Sequence, residues 1–245
     1  MMTRKGVSWQ FEEAKAEVVY HQYQGVPIKT LLISFSQPRL VLSSREGFKR
    51  ARVVCNNSNP PQLWDFVQLN WQLYLDSVIA DLRLSPQEVA CLSTGVDIDD
   101  LAIGEESFAE FRICVVVTAG VTSNALRIGV DEGRHLERDG KFEELGTINI
   151  IALTNASLSE GAMVRAIITA TEAKIIALQD LDVRSSYSPQ YQATGTGTDN
   201  VMIVSGAGEK IHYMGGHAKM GELLAKAVTA ATREAILKHH REESG

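Results

Sequence analysis

The chain has 245 residues, 44% hydrophobic and 22% charged, with a net charge of −6. That length supports one large hydrophobic core or two small ones without staples. An acidic balance with no basic run excludes a nucleic-acid groove, and the longest apolar run, Ile113 to Val117, is far too short to cross a bilayer. Cys55, Cys91 and Cys114 are odd in number and lack CxxC spacing, which reads as buried thiols in a reducing cytoplasm. The first fifteen residues turn polar at once and hold no signal-peptide core.

Four β-rich stretches come first, "EVVY", "KTLLISF", "LVLSS" and "ARVVC", separated by turn residues. "NNSNPPQ" then breaks the chain and opens a helix whose apolar face is Trp64, Val67, Trp71, Tyr74, Leu75, Val78 and Leu82. "SPQE" at 85–88 has capping-box spacing with proline at the first helical position, which predicts a second, short helix. "IDDLAIGEESFAEF" reads as a connector. From Arg112 onward one theme recurs, an apolar run followed by a small polar loop: "CVVVTAGVTSNA", "INIIALTNASLSE" and "VMIVSGAG". The recurrence predicts that these loops converge on one cleft with "ATGTGTDN" and His217.

The stretch 154–174 reads as a helix opened by a Ser157–Glu160 capping box. Ser157, Arg165, Thr169 and Glu172 form a polar stripe on an otherwise apolar rod, and the expectation is that Arg165 pairs with Glu172 beneath a site. A last helix follows the glycine pair at 215–216, with Met220, Leu224, Val228, Ala231 and Ala235 on its packed face. Strands clustered early and helices between later strands favour an α+β layered domain, a mixed β-sheet packed against helices. No linker divides the chain, so 1–245 is read as a single domain.

Several segments carry chemistry. "ATGTGTDN" at 193–200 offers Thr196, Thr198 and Asp199 beside glycines that let backbone amides approach a ligand, or is simply a tight turn. It is no phosphate loop and no dinucleotide fingerprint. "TAGVTSNALRIG" places Thr122, Ser123, Asn124 and Arg127 just after a buried strand. The glycine pair beside His217 offers amides for an oxygen anion or a place for a base, and the His212/His217 spacing does not suit zinc. His135, His239 and His240, in charged surroundings, read as surface.

Together "TAGVTSNALRIG", "GTINIIALTNASLSEGAMVRAIITATEAK", "ALQDLDVRSSYSPQYQATGTGTDNVMIVSG" and "GGHAKMGELLAKAV" resemble the adenosylcobinamide amidohydrolases of corrinoid salvage. The likeness is strongest over residues 111–240 and looser over 1–110, where "EGFKRARVVCNNSN" is similar only in outline. It implies hydrolysis of the amide between the corrin-ring propionate and aminopropanol of adenosylcobinamide or its phosphate. The products would be adenosylcobyric acid and aminopropanol or its phosphate. The family's segments fall on Thr122, Ser123, Asn124, Arg127, Thr154, Asn155, Glu160, Arg165, Glu172, Thr196, Thr198, Asp199, His217 and Lys219.

Amide hydrolysis needs an activated water or hydroxyl, donors for the oxyanion and an acid for the leaving amine. The expectation is Asp199 or Glu160 as base and His217 as acid, with Asn124 and Asn155 as oxyanion donors. Thr122 or Thr198 as a direct nucleophile is the second mechanism. Thr122, Ser123, Arg127, Thr154, Asn155, Thr196, Thr198 and Lys219 are expected to bind substrate. No protein-held metal or cofactor is expected, the cobalt arriving with the corrinoid, and no membrane insertion; a homo-oligomer is compatible. Two other classes stay open, a corrinoid carrier without catalysis and an acyltransferase or ester hydrolase using the same Gly/Thr loop.

Overall fold

A computed structural model describes residues 2–133 and 147–243, so His135 lies outside the described residues. Strands β1 (Thr3–Gly6), β2 (Lys15–Tyr23), β3 (Val26–Ser43) and β4 (Gly47–Ser58) run as an antiparallel meander. Where two strands were expected, β3 is one long strand with a register shift between Ser34 and Arg39. The extra residues bend it there, and Pro38, which has no N–H to donate, sits within that stretch.

The helical face after Pro61 is broken at Asn70 into α1 (Trp64–Leu69) and α2 (Trp71–Asp81). The helix expected from "SPQE" is a single 3-10 turn, Pro86–Glu88. The Ser85 hydroxyl bonds Gln87 Oε1 at 2.8 Å rather than capping a helix, and the β-favouring "VACLST" takes the chain directly into strand β5 (Val89–Thr94). The "connector" at 98–111 is likewise mostly strand. β6 (Ala102–Phe108) hairpins onto β7 (Phe111–Ala119), and its polar side chains disguised it because it is an edge strand with one wet face.

Past β7 come β8 (Ala125–Leu126), β9 (Ile148–Thr154), β10 (Ser157–Leu158) and α3 (Glu160–Asp180). The chain ends with β11 (Gly195–Thr196), β12 (Asn200–Val204), β13 (Lys210–Ile211) and α4 (Lys219–Glu243). Ser159, not Ser157, caps α3 by accepting from the Ala162 N–H at 3.2 Å; Ser157 is instead paired with Lys210 across β10 and β13.

One nine-stranded mixed sheet has the order β1-β2-β3-β12-β9-β7-β6, with β4 and then β5 branching from β3. Side-chain alternation sorts the apolar residues into three cores. One lies between α3/α4 and the β12-β9-β7-β6 half, with Val115, Val117, Ile150, Ala166, Leu224 and Val228. A second, with Leu31, Ile33, Val54, Val116, Ile151 and Met202, fills the space inside the curl of the sheet. The third lies under α2, with Leu32, Val53, Tyr74 and Val78. Three cores mean four layers, helix/sheet/sheet/helix, an α+β architecture of the expected class. The expected packed face of α4 is buried as read from spacing.

The cysteine expectation needs correcting. Cys55 and Cys91 are direct register partners on β4 and β5 and form a disulfide. Cys114 is the free thiol, buried, with its pKa pushed up chiefly by desolvation. Among the described residues no helix is long and apolar enough to cross a membrane.

Candidate active site

Strand direction decides which loops meet. β9 and β12 are parallel, so their first residues share one end of the sheet, and β7, antiparallel to β9, delivers its last residues there. At this end the amide of Asn149 donates to Asn56 Oδ1 at 2.8 Å and to the Ser93 carbonyl at 2.7 Å. Asn56 in turn donates to Thr118 Oγ1 at 2.9 Å. Asn200 reaches Asn149 Oδ1 at 3.4 Å, and Ser44 donates to Asn200 Oδ1 at 3.1 Å. Asn56, Asn149 and Thr118 are buried at the end of the core inside the curl, where unpaired amides would be costly. Their mutual bonds satisfy them and tie the ends of β4, β5, β7, β9 and β12 into one polar floor.

Beside that floor sits Asp199. Its Oδ1 accepts from the Ile148 N–H at 3.0 Å and from Thr196 Oγ1 at 2.6 Å, and both oxygens lie 3.1 Å from the Thr196 N–H. Lys174 of α3 forms an ion pair with Oδ2, with side-chain exposures of 8% for the lysine and 15% for the aspartate. A carboxylate holding this many donors is an anchor for the 194–200 loop, which supplies its own backbone to it. Thr147 donates to the Thr198 carbonyl, and its own carbonyl accepts from the Gly120 N–H at 3.3 Å. Through Thr147 the 194–200 loop and the loop after β7 are neighbours.

The loop after β7 presents Thr122 and Ser123 to solvent and buries Asn124, which precedes the Ala125↔Thr196 register pair. Arg127 is tied into loop structure, its N–H donating to Asp131 Oδ2 at 2.6 Å and its Nη1 to the Gln192 carbonyl at 3.3 Å. Hydrogen bonds from Ser185, then Ser188 and the Arg127 backbone, hold the Asp131 carboxyl below the usual carboxylate range. Thr122, Ser123, Asn124, Arg127, Thr196, Thr198 and Asp199 are thus brought together as expected.

The other expected residues are not. Asn155 follows the last residue of β9, seven residues beyond Ile148, a separation of roughly 23 Å at ~3.3 Å per residue. Its side chain accepts from the Arg112 N–H at 2.9 Å and donates to the Glu110 carbonyl at 2.7 Å, fastening the β6–β7 turn. Thr154 caps the same end, donated to by the Ala156 N–H at 3.1 Å. Glu160, His217 and Lys219 stand exposed near the starts of α3 and α4, and Lys219 pairs with Glu222 at 2.5 Å. The single cleft joining Asn124, Asn155, Asp199 and His217 therefore does not exist, and Asp199 and His217 cannot share a proton relay.

Nor do Arg165 and Glu172 pair: Glu172 is exposed, the Arg165 Nε is buried without a hydrogen-bond partner among the described residues, and the guanidinium lies 5.9 Å from the Tyr213 ring. Thr169, on the same stripe, donates to the Met214 carbonyl at 2.8 Å and fixes the approach to α4.

Lys174, Asn56, Asn149 and Thr147 went unremarked in the sequence. Lys174 left a signal: it follows Ala166 and Ala170 at four-residue steps on the core-facing side of α3. His239, read as surface, is part of this end as well. In the last turns of α4 its Nδ1 lies 3.3 Å from Asp100 Oδ2, with side-chain exposures of 18% and 5%. Among the described residues no cluster of His, Cys, Asp and Glu is arranged to hold a metal ion.

The profile described as adenosylcobinamide amidohydrolase matches residues 12–244. An uncharacterized protein of Methanocaldococcus jannaschii is 46% identical over 224 residues, covering 87% of this chain and 88% of that one. A Methanosarcina mazei protein named adenosylcobinamide amidohydrolase is 31% identical over 217 residues, covering 82% and 90%. Among solved structures, an L-aminopeptidase D-Ala-esterase/amidase of Ochrobactrum anthropi aligns with a TM-score of 0.41 at 10% identity, covering 97% of this chain and 83% of that one. A β-aminopeptidase of a Burkholderia species gives a TM-score of 0.44 at 10% identity, covering 86% and 78%.

Proposed function

The chain belongs to the adenosylcobinamide amidohydrolase family, and from that membership we propose that it hydrolyses the amide between the corrin-ring propionate of adenosylcobinamide, or its phosphate, and aminopropanol. The observation that carries this reading is the family match over nearly the whole chain. The reaction site is the polar end of the sheet, because a buried asparagine floor and exposed hydroxyls on one rim suit an amide substrate. Asn124 and backbone amides of the two neighbouring loops stabilise the oxyanion. Thr122, Ser123 or Thr198 supplies a hydroxyl to attack directly or to orient water. Asp199, saturated with donors, holds the 194–200 loop in place and is not the base. The reading asks for no protein-held cofactor; cobalt is part of the substrate.

Incubating the purified protein with adenosylcobinamide and following adenosylcobyric acid and aminopropanol by mass spectrometry tests this. Stoichiometric release of both is expected. Corrinoid retained without cleavage would make the protein a carrier, and transfer of the acyl group to an added amine without net hydrolysis would make it an acyltransferase.

A further inference from the structure

We infer that Arg45 is the residue that tells the phosphate ester of the substrate from the free alcohol, an inference that rests on the amide-hydrolysis reading. Arg45 lies in the turn between β3 and β4, directly after Ser44. The Ser44 N–H bonds the Val201 carbonyl at 2.9 Å, and its Oγ accepts from the Val201 N–H at 3.0 Å while donating to Asn200 Oδ1 at 3.1 Å. Asn200 Nδ2 in turn donates to the Thr198 carbonyl at 3.0 Å. The arginine is therefore rooted one residue, about 3.8 Å of chain, from the polar floor and beside the loop that carries Thr198.

The state of its guanidinium is what points to a ligand. The central carbon lies over the Trp71 ring, 3.9 Å from the centroid, at the start of α2. The indole attracts the cation but offers no oxygen to its N–H donors. Glu46, the adjacent carboxylate, is engaged elsewhere, by Lys49 at 3.0 Å and by the Cys91 N–H at 2.9 Å. Among the described residues no carboxylate pairs with Arg45, which is exposed. Other cations at this end of the sheet are neutralised, Lys174 by Asp199 and Lys29 by Asp97 and Asp99.

A guanidinium held in place, charged and without such a partner, suits a phosphate, whose oxygens accept two of its N–H groups side by side. In the phosphorylated substrate four bonds separate the scissile nitrogen from phosphorus, roughly 5 Å at ~1.5 Å a bond. An amide at the edge of the floor next to Asn200 thus brings the phosphate within one side-chain length of Arg45. The unphosphorylated form offers only a neutral hydroxyl there. The charge-assisted pair forms with the ester alone and raises its kcat/KM relative to that of the alcohol. A stack that only fastened α2 to the β3–β4 turn would act on both forms alike.

The test measures kcat/KM for adenosylcobinamide phosphate and for adenosylcobinamide in wild type and Arg45→Gln, with thermal melts of both proteins. The readout is the ratio of the two values, ester over alcohol. It is expected to be fivefold or more lower in Arg45→Gln, as for loss of a hydrogen-bonded charge partner. A smaller fall, or an equal loss on both substrates, overturns the inference while the function stands. Where Arg45→Gln lowers the melt, Arg45→Met, which keeps an apolar stem on the indole, is judged by the same threshold. A wild type that cleaves neither compound fails the functional reading itself, and the ratio of the two Kd values, held to the same threshold, then judges Arg45.

Discussion

Lys174 takes a place that α3 otherwise gives to alanine: Ala166, Ala170, Ala173 and Ala177 share its buried face. Its ammonium is there for Asp199, and removing one partner of a buried pair leaves the other's charge uncompensated. Lys174→Met should therefore destabilise the protein by about 3 kcal/mol, while the double substitution with Asp199→Asn should recover part of that loss. Thermal melts of the four proteins check this, and strictly additive losses would show that the pair is not coupled. The hydroxyl- and amide-bearing loop residues were legible individually, since small polar residues after apolar runs stand out. Their partners were not. A lysine or an asparagine at a strand end declares its bonds only when the opposing strand is known.

Between elements, a buried relay runs under α2. Tyr74 donates to Asn57 Oδ1 at 2.6 Å, and Asn57 Nδ2 donates to Thr30 Oγ1 at 2.7 Å. Thr30 lies 2.9 Å from His21 Nε2, and His21 Nδ1 lies 3.0 Å from Asp81 Oδ2. Thr30 accepts from Asn57 and still has its own proton for Nε2, the arrangement that suits a neutral imidazole carrying its proton on Nδ1 toward Asp81. Burial lowers the His21 pKa below 6.5 against the opposing pull of Asp81. The unfolded chain then binds the proton more readily than the fold. Stability should be level above about pH 6.5 and fall as pH drops through it toward the folded pKa, with a slope of at most ~1.4 kcal/mol per pH unit. Urea midpoints from pH 8 to 5 would show this in wild type, and the slope should lessen in His21→Gln. Packing between layers makes a second prediction. A Cβ on Gly104 of β6 would collide with the Ala227 carbonyl of α4, so Gly104→Val should push the helix away and cost about 3 kcal/mol, the upper end for overpacking, read as a lower melting temperature. Element types were largely legible from periodicity, but strand directions were not. The expectation of one cleft failed because β7 and β9 are antiparallel, so loops that look alike in sequence emerge at opposite ends.

For the molecule as a whole, the α+β class could be read from the order of strands and helices, whereas the four layers could not. They depend on the bend in β3, whose first half pairs with β2 and whose last residues pair with β12. Nothing in a linear pattern says that one strand serves two halves of a sheet. The place of β12 has its own consequence for how the chain is made. It lies between β3 and β9, yet its residues, Asn200–Val204, are synthesised after both. Until they emerge, β3 and β9 present open edges toward each other across a missing strand, and both are rich in valine, isoleucine and leucine. Such edges are sites for pairing with other chains. A nascent chain stalled before residue 200 is therefore expected to aggregate more readily than the finished one, and closing the sheet through β12 needs long-range contacts of the kind that slow folding.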